Sequence, residues 1–402
     1  MEDNFEGLSI RKHQKGKKTM IQIRRRNLLS AVKFVAWVAL CLASMSTIAV
    51  AKPIYLHVNN FAIRSAELGT SSDPYLTITD ALNRASRLRL FARDRIIIRV
   101  QPGFYSAANG ERFPLCMLSG VDLEGVSNDL ALIPVPIIQG GDIHDIGTER
   151  YIAVIAAGNA SITGFTFRAI DGPDGTPGTS ILCDDTSPNI ERNRFEGNSH
   201  AGIAVTGAAH PAIQENVFAG TNNWGMTLYG ESYPQIRYNE FYSKNGVDCS
   251  DNSYPNIDDN TFSCESTGIS TKGDSNPTIT NNVLAENGDN GIIVRMNSTP
   301  MIENNDISNN HTGIYIGGGS MQNPDIGGGG RSEGGNLFNN NTWDIENHIA
   351  ATIMARYNQW STYCCEYIDN HIFDDDENDL SGEVDHSDPS FCIRCMMAVK
   401  RF

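Results

Sequence analysis

The chain has 402 residues, with 31 Lys and Arg against 47 Asp and Glu, and a formal net charge of −16. This excess of negative charge argues against nucleic acid and anionic lipid as bulk partners, because both carry the same sign. The length alone suggests about two domains.

The first 51 residues have the pattern of a secretory signal peptide. The basic stretch RKHQKGKKTMIQIRRR precedes the apolar run FVAWVALCLASMSTIAVA, which ends in an Ala-Val-Ala site. We predict cleavage after Ala51 and a secreted or periplasmic protein. A membrane anchor is the alternative, since the apolar run is near the shortest that spans a bilayer. Whether Met1 or Met20 is the start stays open. Without the leader, 22 basic and 44 acidic residues remain, and 22 − 44 gives −22.

The next segment, 52–145, predicts an N-terminal cap and the first coils of a repetitive fold. Thr77 with Asp80 has the spacing of a helix N-cap. Apolar residues then follow at helical spacing, which predicts a short helix over the open end of a sheet. These residues are Ile78, Ala81, Leu82 and Ala85.

Residues 146–360 contain a repeat of about 22 residues. Six prolines stand 21 to 23 residues apart, from Pro188 to Pro300. Isoleucine follows each proline at the second position, a large apolar residue at the seventh, and asparagine at the fifth. The asparagines are Asn193, Asn216, Asn239, Asn260, Asn282 and Asn305. A fixed period of this length predicts a solenoid.

The residue types select the kind of solenoid. Proline, glycine and asparagine in every unit are incompatible with helical pairs, and the leucine framework of leucine-rich repeats is absent. Short β-prone runs such as GIIV and GIYI favour a parallel β-helix with about one coil per repeat. Stacked coils place equivalent residues above one another, so the asparagines are predicted to form a hydrogen-bonded ladder at a sharp bend.

The strings GIYI and IENNDI, with this ladder, resemble the pectin-lyase-like right-handed parallel β-helix superfamily. Upstream, GTSSDPYLTITDAL, IIIRVQPGFYS and GERFPL resemble an uncharacterised N-terminal domain of many bacterial β-helix proteins. Downstream, NPDIGGGGRSEGGNLF and ARYNQW resemble the closing coils of that group. HIFDDDENDLSGEVDHSDP is similar to periplasmic NosD-like proteins. The resemblance covers about 54–390. It implies an all-β, single-stranded right-handed β-helix and says little about activity, since this fold hosts many functions.

The last segment, 361–402, loses the period and is predicted to be a cysteine-containing cap. Four of its residues are disulfide candidates in an exported chain, with a zinc site and free thiols as alternatives. They are Cys364, Cys365, Cys392 and Cys395.

Two local motifs are candidates for ligand binding. Acidic residues at Asp374 and Asp376, with Asn378, match three calcium-loop positions, but the glycine and glutamate of that motif are missing. We therefore expect no metal or other cofactor, with calcium as a weak alternative. The run DIGGGGRSEGG lacks the Lys-Ser/Thr ending of a phosphate loop and predicts a tight turn. The scattered histidines include His200 and His210, which we expect on surface loops.

Strand alternation predicts which side chains face outward after each coil glycine. By this count Tyr229, Asp248, Lys272 and Arg295 share one exposed strip over four coils. Lys272 and Arg295 stand at equivalent positions, where like charges are unfavourable, so an anion between them is one hypothesis. The other is that Lys272 pairs with Asp248.

Three classes of function follow from this strip. The preferred one is a binding surface for an acidic polysaccharide, with Tyr229, Asp248, Lys272 and Arg295 in contact with it. A polysaccharide lyase or glycoside hydrolase is the second, with Asp248, Lys272 and Arg295 as weak catalytic candidates, because the strip lacks a clear pair of carboxylates. A structural envelope protein is the third. The oligomeric state stays open.

Overall fold

The computed structural model describes residues 52–63, 66–90, 94–128, 135–145, 149–168, 170–197, 199–220, 223–319, 323–361 and 368–387. The predicted signal peptide and the four C-terminal cysteines lie outside these residues. Within the described ranges no helix is long and apolar enough to cross a bilayer. Short strands dominate, with one α-helix and one 3-10 turn, Ala107–Asn109, in the same ranges.

The strands form three long sheets, which we call A, B and C. Sheet A consists of Ile54–Val58, Ile96–Val100, Val121–Gly125, Ser161–Thr163, Asn189–Glu191, Ala212–Gln214, Gln235–Arg237, Asn256–Asp258, Thr278–Thr280, Met301–Glu303, Asp325–Gly327, Ile353–Ala355 and Val384–Asp385. Sheet B consists of Gly103–Ser106, Pro136–Gln139, Thr166–Arg168, Arg194–Glu196, Val217–Ala219, Glu240–Tyr242, Thr261–Phe262, Val283–Ala285, Asp306–Ser308, Leu337–Asn339 and Gln359–Trp360.

Sheet C consists of Leu115–Cys116, Glu149–Ile155, Gly178–Asp184, Ala201–Thr206, Trp224–Leu228, Asn245–Cys249, Thr267–Thr271, Asn290–Arg295, Thr312–Gly317, Trp343–Asn347 and Ile372–Phe373. The strand Asp142–Asp145 joins it antiparallel to Glu149–Ile155. All other pairings described are parallel, and each coil contributes one strand to sheet C, then one to sheet A and one to sheet B. The predicted all-β solenoid is confirmed. Two strands beyond residue 360, Ile372–Phe373 and Val384–Asp385, extend sheets C and A.

The helix Ile78–Arg89 packs against the first two strands of sheet A. Thr77 is its N-cap and accepts a hydrogen bond from the Asp80 amide at 3.1 Å. The buried Glu111 carboxylate accepts the Ile78 and Thr79 amides at 2.6 and 2.9 Å, which satisfies the free donors of the first turn. The four apolar residues predicted for its inner face are buried, at 0–7% exposure. The predicted helix is therefore confirmed.

The core is a set of stacked columns. Phe195, Phe218, Phe241 and Phe262 lie on consecutive coils with ring centroids 4.5–4.7 Å apart, and none is exposed. The isoleucines of the repeat form a parallel column in sheet A. Burial of each such side chain contributes about 1.5–3 kcal/mol. Every coil thus packs its apolar side chains against those of the coils on either side, which is why the period is kept.

The asparagines of the repeat lie at the bend between sheets A and B, buried at 0–2% exposure. The backbone amide and the side-chain Nδ2 of one asparagine both donate to the Oδ1 of the next, at 2.9–3.2 Å. The column continues to Asn336 and Asn358, which the repeat count missed. Asn336 comes 31 residues after Asn305 because a glycine-rich loop enlarges that coil.

A second, shorter asparagine column lies before sheet C. Asn287 accepts the Cys264 amide, Asn310 accepts the Asn287 amide and Asn341 accepts the Asn310 amide, at 2.9–3.0 Å. Asn341 Nδ2 then donates to the Asp344 carboxylate at 2.9 Å. Burial raises the pKa of Asp344 to about 6, against smaller lowering effects of the Asn341 hydrogen bond and the charge of His371.

Replacing Asp344 with asparagine is expected to stabilise the protein near neutral pH. Its folded pKa lies above its ordinary value of 3.8, so the folded state binds more protons than the unfolded state between pH 4 and 6. Stability should therefore fall as pH rises through that window. Asp344→Asn should flatten this dependence and raise the free energy of unfolding at pH 7.5 by about 1–3 kcal/mol. Urea unfolding across pH, with exposed Asp251→Asn as control, tests this; equal slopes for the two variants would contradict it.

The glycine-rich run forms the predicted tight turn, and the turn is organised around a carboxylate. Asp325, 4% exposed, accepts amides of Gly327 and Gly329 at 3.2 and 3.1 Å through Oδ1. Its Oδ2 accepts those of Arg331 and Ser332 at 2.7 and 3.0 Å. The amide cradle that would otherwise attract an anion is therefore filled by a side chain of the same loop.

Candidate functional site

The outer face of sheet C carries two columns of outward side chains. The first column comprises Ile155, Leu182, Ala204, Thr227, Asp248, Ser270, Ile293, Tyr315, Glu346 and Phe373. The second column stands two residues further along each coil and comprises Asp184, Thr206, Tyr229, Ser250, Lys272, Arg295, Gly317 and His348. Three residues predicted for the exposed strip therefore share the second column, while Asp248 lies in the first.

Asp248 is buried, with 2% exposure, so the expectation that it lies on an exposed strip is wrong. Lys272, one coil away, reaches back over it, and Lys272 Nζ lies 2.8 Å from Asp248 Oδ2. The Ser250 hydroxyl donates to the same oxygen at 3.2 Å. Of the two hypotheses for Lys272, the structure shows the pair with Asp248.

This ion pair leaves one acceptor without a donor. Asp248 Oδ1 is buried and has no hydrogen-bond partner within the part of the chain that the structure describes. Such an atom is costly unless a hydroxyl or water satisfies it. Beside it, burial and then the charge of Asp248 raise the pKa of Tyr229, which keeps the phenol neutral at physiological pH.

Arg295 is the exposed cation of the second column. Its guanidinium carbon lies 5.8 Å from the centre of the Tyr315 ring, a cation–π arrangement. Among the described residues it makes no ion pair. Arg295 therefore presents its donors outward, whereas the charge of Lys272 is already balanced.

The same face continues into residues that the sequence count did not reach. His348 lies 5.0 Å from the Tyr315 ring and 4.6 Å from the Phe373 ring, measured between centroids. Glu346 Oε2 holds His348 Nε2 at 2.9 Å. The enlarged coil places the segment WDIENH, residues 343–348, about nine residues later than the 22-residue period predicts. The glycine-rich run DIGGGGRSEGG marks the enlarged coil in the sequence and could have indicated this shift.

The two histidines expected on loops behave differently. His210 is exposed and stacks on Tyr233, with 4.9 Å between ring centroids. His200 is buried, so the expectation that it lies on the surface is wrong. Its Nδ1 lies 3.0 Å from Thr179 Oγ1, which satisfies the ring inside the protein. Burial, with a smaller effect of the Arg150 charge, lowers the pKa of His200 to about 4, so it is neutral at physiological pH.

The acidic loop near the C-terminus uses its side chains for its own turns. Asp374 accepts the Asp376 amide at 3.2 Å and the Val384 amide at 2.9 Å, and Asn378 accepts the Leu380 amide at 3.2 Å. No group of three or more His, Cys, Asp and Glu side chains in the described ranges is arranged to hold a metal ion. The cysteines described there, Cys116, Cys183, Cys249 and Cys264, are free thiols.

Comparison with known families agrees with this architecture. Residues 64–239 match the family described as "Protein of unknown function (DUF1565)", and residues 243–349 match "Right handed beta helix region". The predicted right-handed β-helix is confirmed, and the uncharacterised N-terminal domain is identified. No curated protein sequence matches the chain.

Several solved structures are distantly similar. XylC in complex with xylose shares 10% identity, with 76% of this chain and 70% of that chain covered and a TM-score of 0.43. The A-module of the mannuronan C-5 epimerase AlgE4 of Azotobacter vinelandii shares 15%, with 70% and 90% covered and a TM-score of 0.40. The GH136 lacto-N-biosidase from Eubacterium ramulus shares 11%, with 76% and 63% covered and a TM-score of 0.42. Likenesses this distant do not identify a ligand for this chain.

Proposed function

We propose that this right-handed β-helix protein binds an acidic polysaccharide along the outer face of sheet C. The proposal rests on the exposed guanidinium of Arg295, which has no ion-pair partner in the described residues. The predicted mature chain has a net charge of −22, so its own field disfavours bulk anions but not one held by local donors. Tyr315 on the next coil contacts Arg295, and Tyr229 stands three coils away on the other side; both add aromatic surface for sugar rings.

Lys272 has a supporting role in this proposal. Its backbone lies about 4.8 Å from that of Arg295 on the next coil, but Asp248 already balances its charge. The stacked cations therefore do not by themselves require an anion. Asp248 Oδ1 is buried, so Asp248 acts in this proposal by positioning Lys272 and not by contacting the sugar.

The spacing of carboxylates favours binding over glycoside hydrolysis. Asp184 and Asp248 stand three coils apart, and Asp248 and Glu346 four coils apart. At about 4.8 Å per coil these backbone separations are about 14 and 19 Å. Inverting hydrolysis uses carboxyl groups about 6.5–9.5 Å apart, and retaining hydrolysis a closer pair. Asp184, Asp248 and Glu346 are therefore too far apart to act as a catalytic pair in either kind of hydrolysis.

Replacing Arg295 with glutamine is expected to weaken binding to immobilised polygalacturonate about tenfold, because hydrogen bonds to charged groups contribute about 1.5–3 kcal/mol. Affinity chromatography at low ionic strength measures this, with dextran sulfate to compare sulfate with carboxylate and dextran as the neutral polymer. Arg84→Gln is the matched control, since Arg84 is exposed on the helix Ile78–Arg89, has no ion pair among the described residues, and loses the same charge.

Two results would overturn the proposal. One is a parent protein that neither acidic polymer retains, and the other is equal loss in Arg295→Gln and Arg84→Gln. Lys272→Ala is not a suitable test, because it would leave the buried Asp248 carboxylate unpaired and destabilise the fold.

A further inference from the structure

The absence of a side chain at Gly317 lets an aromatic ring enter the second column. A Cβ atom at this position would lie 2.8 Å from Tyr315 Oη and 2.9 Å from Tyr315 Cε1. Those separations are shorter than real Cβ contacts, so the tyrosine ring occupies the space that a side chain at 317 would take. Tyr315 starts in the first column and its ring lies across the second.

This placement joins groups on four consecutive coils into one row. The Arg295 guanidinium lies over one side of the Tyr315 ring, at 5.8 Å from its centroid. His348 follows at 5.0 Å with its plane tilted by 34°, and Phe373 follows His348 at 4.6 Å with a tilt of 31°. We call Tyr315, His348 and Phe373 the aromatic row.

The orientation of the row is fixed by polar contacts beneath it. Glu346 Oε2 accepts a hydrogen bond from His348 Nε2 at 2.9 Å, and Glu346 Oε1 accepts one from the Thr312 hydroxyl. The His348 side chain keeps 31% exposure and that of Glu346 15%, so the carboxylate supports a ring that still faces solvent. A preoriented ring loses little conformational entropy when a ligand stacks on it.

We infer that the exposed ring edges of the aromatic row form an apolar contact subsite for the sugar unit next to the acidic unit held at Arg295. The inference rests on the proposed function and narrows its ligand to an oligosaccharide of at least two linked sugars. Recognition then combines a carboxylate or sulfate at the guanidinium with an apolar sugar face packed against the ring edges of Tyr315 and His348. Gly317 is a positioning residue in this scheme, because it holds no ligand and sets where the ring lies.

The test compares two polymers that carry carboxylates, polygalacturonate with sugar rings and polyacrylate without them. Tyr315→Ala is expected to weaken retention on polygalacturonate about 3- to 10-fold, the size of an aromatic contact, and to leave retention on polyacrylate unchanged. Tyr315→Phe should keep the parent affinity for both. Gly317→Ala should reproduce the loss while every aromatic residue is still present, because the added methyl displaces the ring.

The control is Tyr242→Ala, which removes a tyrosine that is 46% exposed on sheet B. If Tyr315→Ala binds polygalacturonate like the parent while Arg295→Gln does not, the aromatic subsite is refuted and the proposed function stands. Equal losses on polygalacturonate and polyacrylate would also refute it, since polyacrylate has no sugar ring for the aromatic row to contact. If the parent binds neither polymer, both proposals fail.

Discussion

Replacing Asp325 with alanine is expected to lower the free energy of unfolding by about 3 kcal/mol. The carboxylate accepts four backbone amides of one loop, and it is almost completely buried. Each buried donor left without an acceptor costs about 1–3 kcal/mol, and water recovers part of that cost in an exposed loop. Urea unfolding of the parent and the variant measures the difference.

The exposed Asp376 supplies the control for this experiment, because its side chain accepts none of the hydrogen bonds described for the loop around it. Asp376→Ala should change stability by about 0.5 kcal/mol or less. Formate at high concentration should partly restore Asp325→Ala, since a ligand that binds only the folded state stabilises it by mass action. Equal losses in the two variants would show that the carboxylate does not organise the loop.

The fold could be predicted from the sequence because a solenoid depends on contacts between neighbouring coils. Proline, isoleucine and asparagine at constant offsets each specify a local position, and stacking then fixes the columns without long-range information. These constant offsets no longer locate the residues where one coil is enlarged. The glycine-rich loop moved Asn336 and His348 out of the expected spacing, so the later part of both columns was missed.

The candidate site was only partly predictable, since alternation gives the direction of a side chain and not its exposure. Asp248 points outward as expected, but a lysine on the next coil is long enough to cover it. Tyr315 also points outward, and only the missing side chain at Gly317 decides that its ring crosses to the second column. Both effects come from contacts between different coils, which residue spacing alone does not specify.

The ladder also explains an unusual backbone feature at the bend between sheets A and B. The residue before each of the six predicted ladder asparagines has a positive φ of 54–56°, and none of these residues is glycine. The left-handed conformation costs about 1 kcal/mol for most such residues. The asparagine side chains offset this cost, because their hydrogen bonds can form only if the chain turns sharply at this point.

Replacing Asn260 with alanine is therefore expected to lower the free energy of unfolding by about 2–4 kcal/mol. Its Oδ1 accepts the amide and the Nδ2 of Asn239 at 2.9 and 3.0 Å, and its own Nδ2 donates to Ile236 and Asp258 carbonyls at 2.9 and 3.0 Å. Alanine would leave the buried Asn239 amide of the preceding coil without its acceptor and would remove one of the two donors to Asn282 Oδ1 on the next coil. Asn252→Ala, at an exposed corner, should cost about 0.5 kcal/mol or less. Urea midpoints that coincide for the two variants would remove the asparagine column from the account of stability, because stacked apolar columns alone would then hold the coils together.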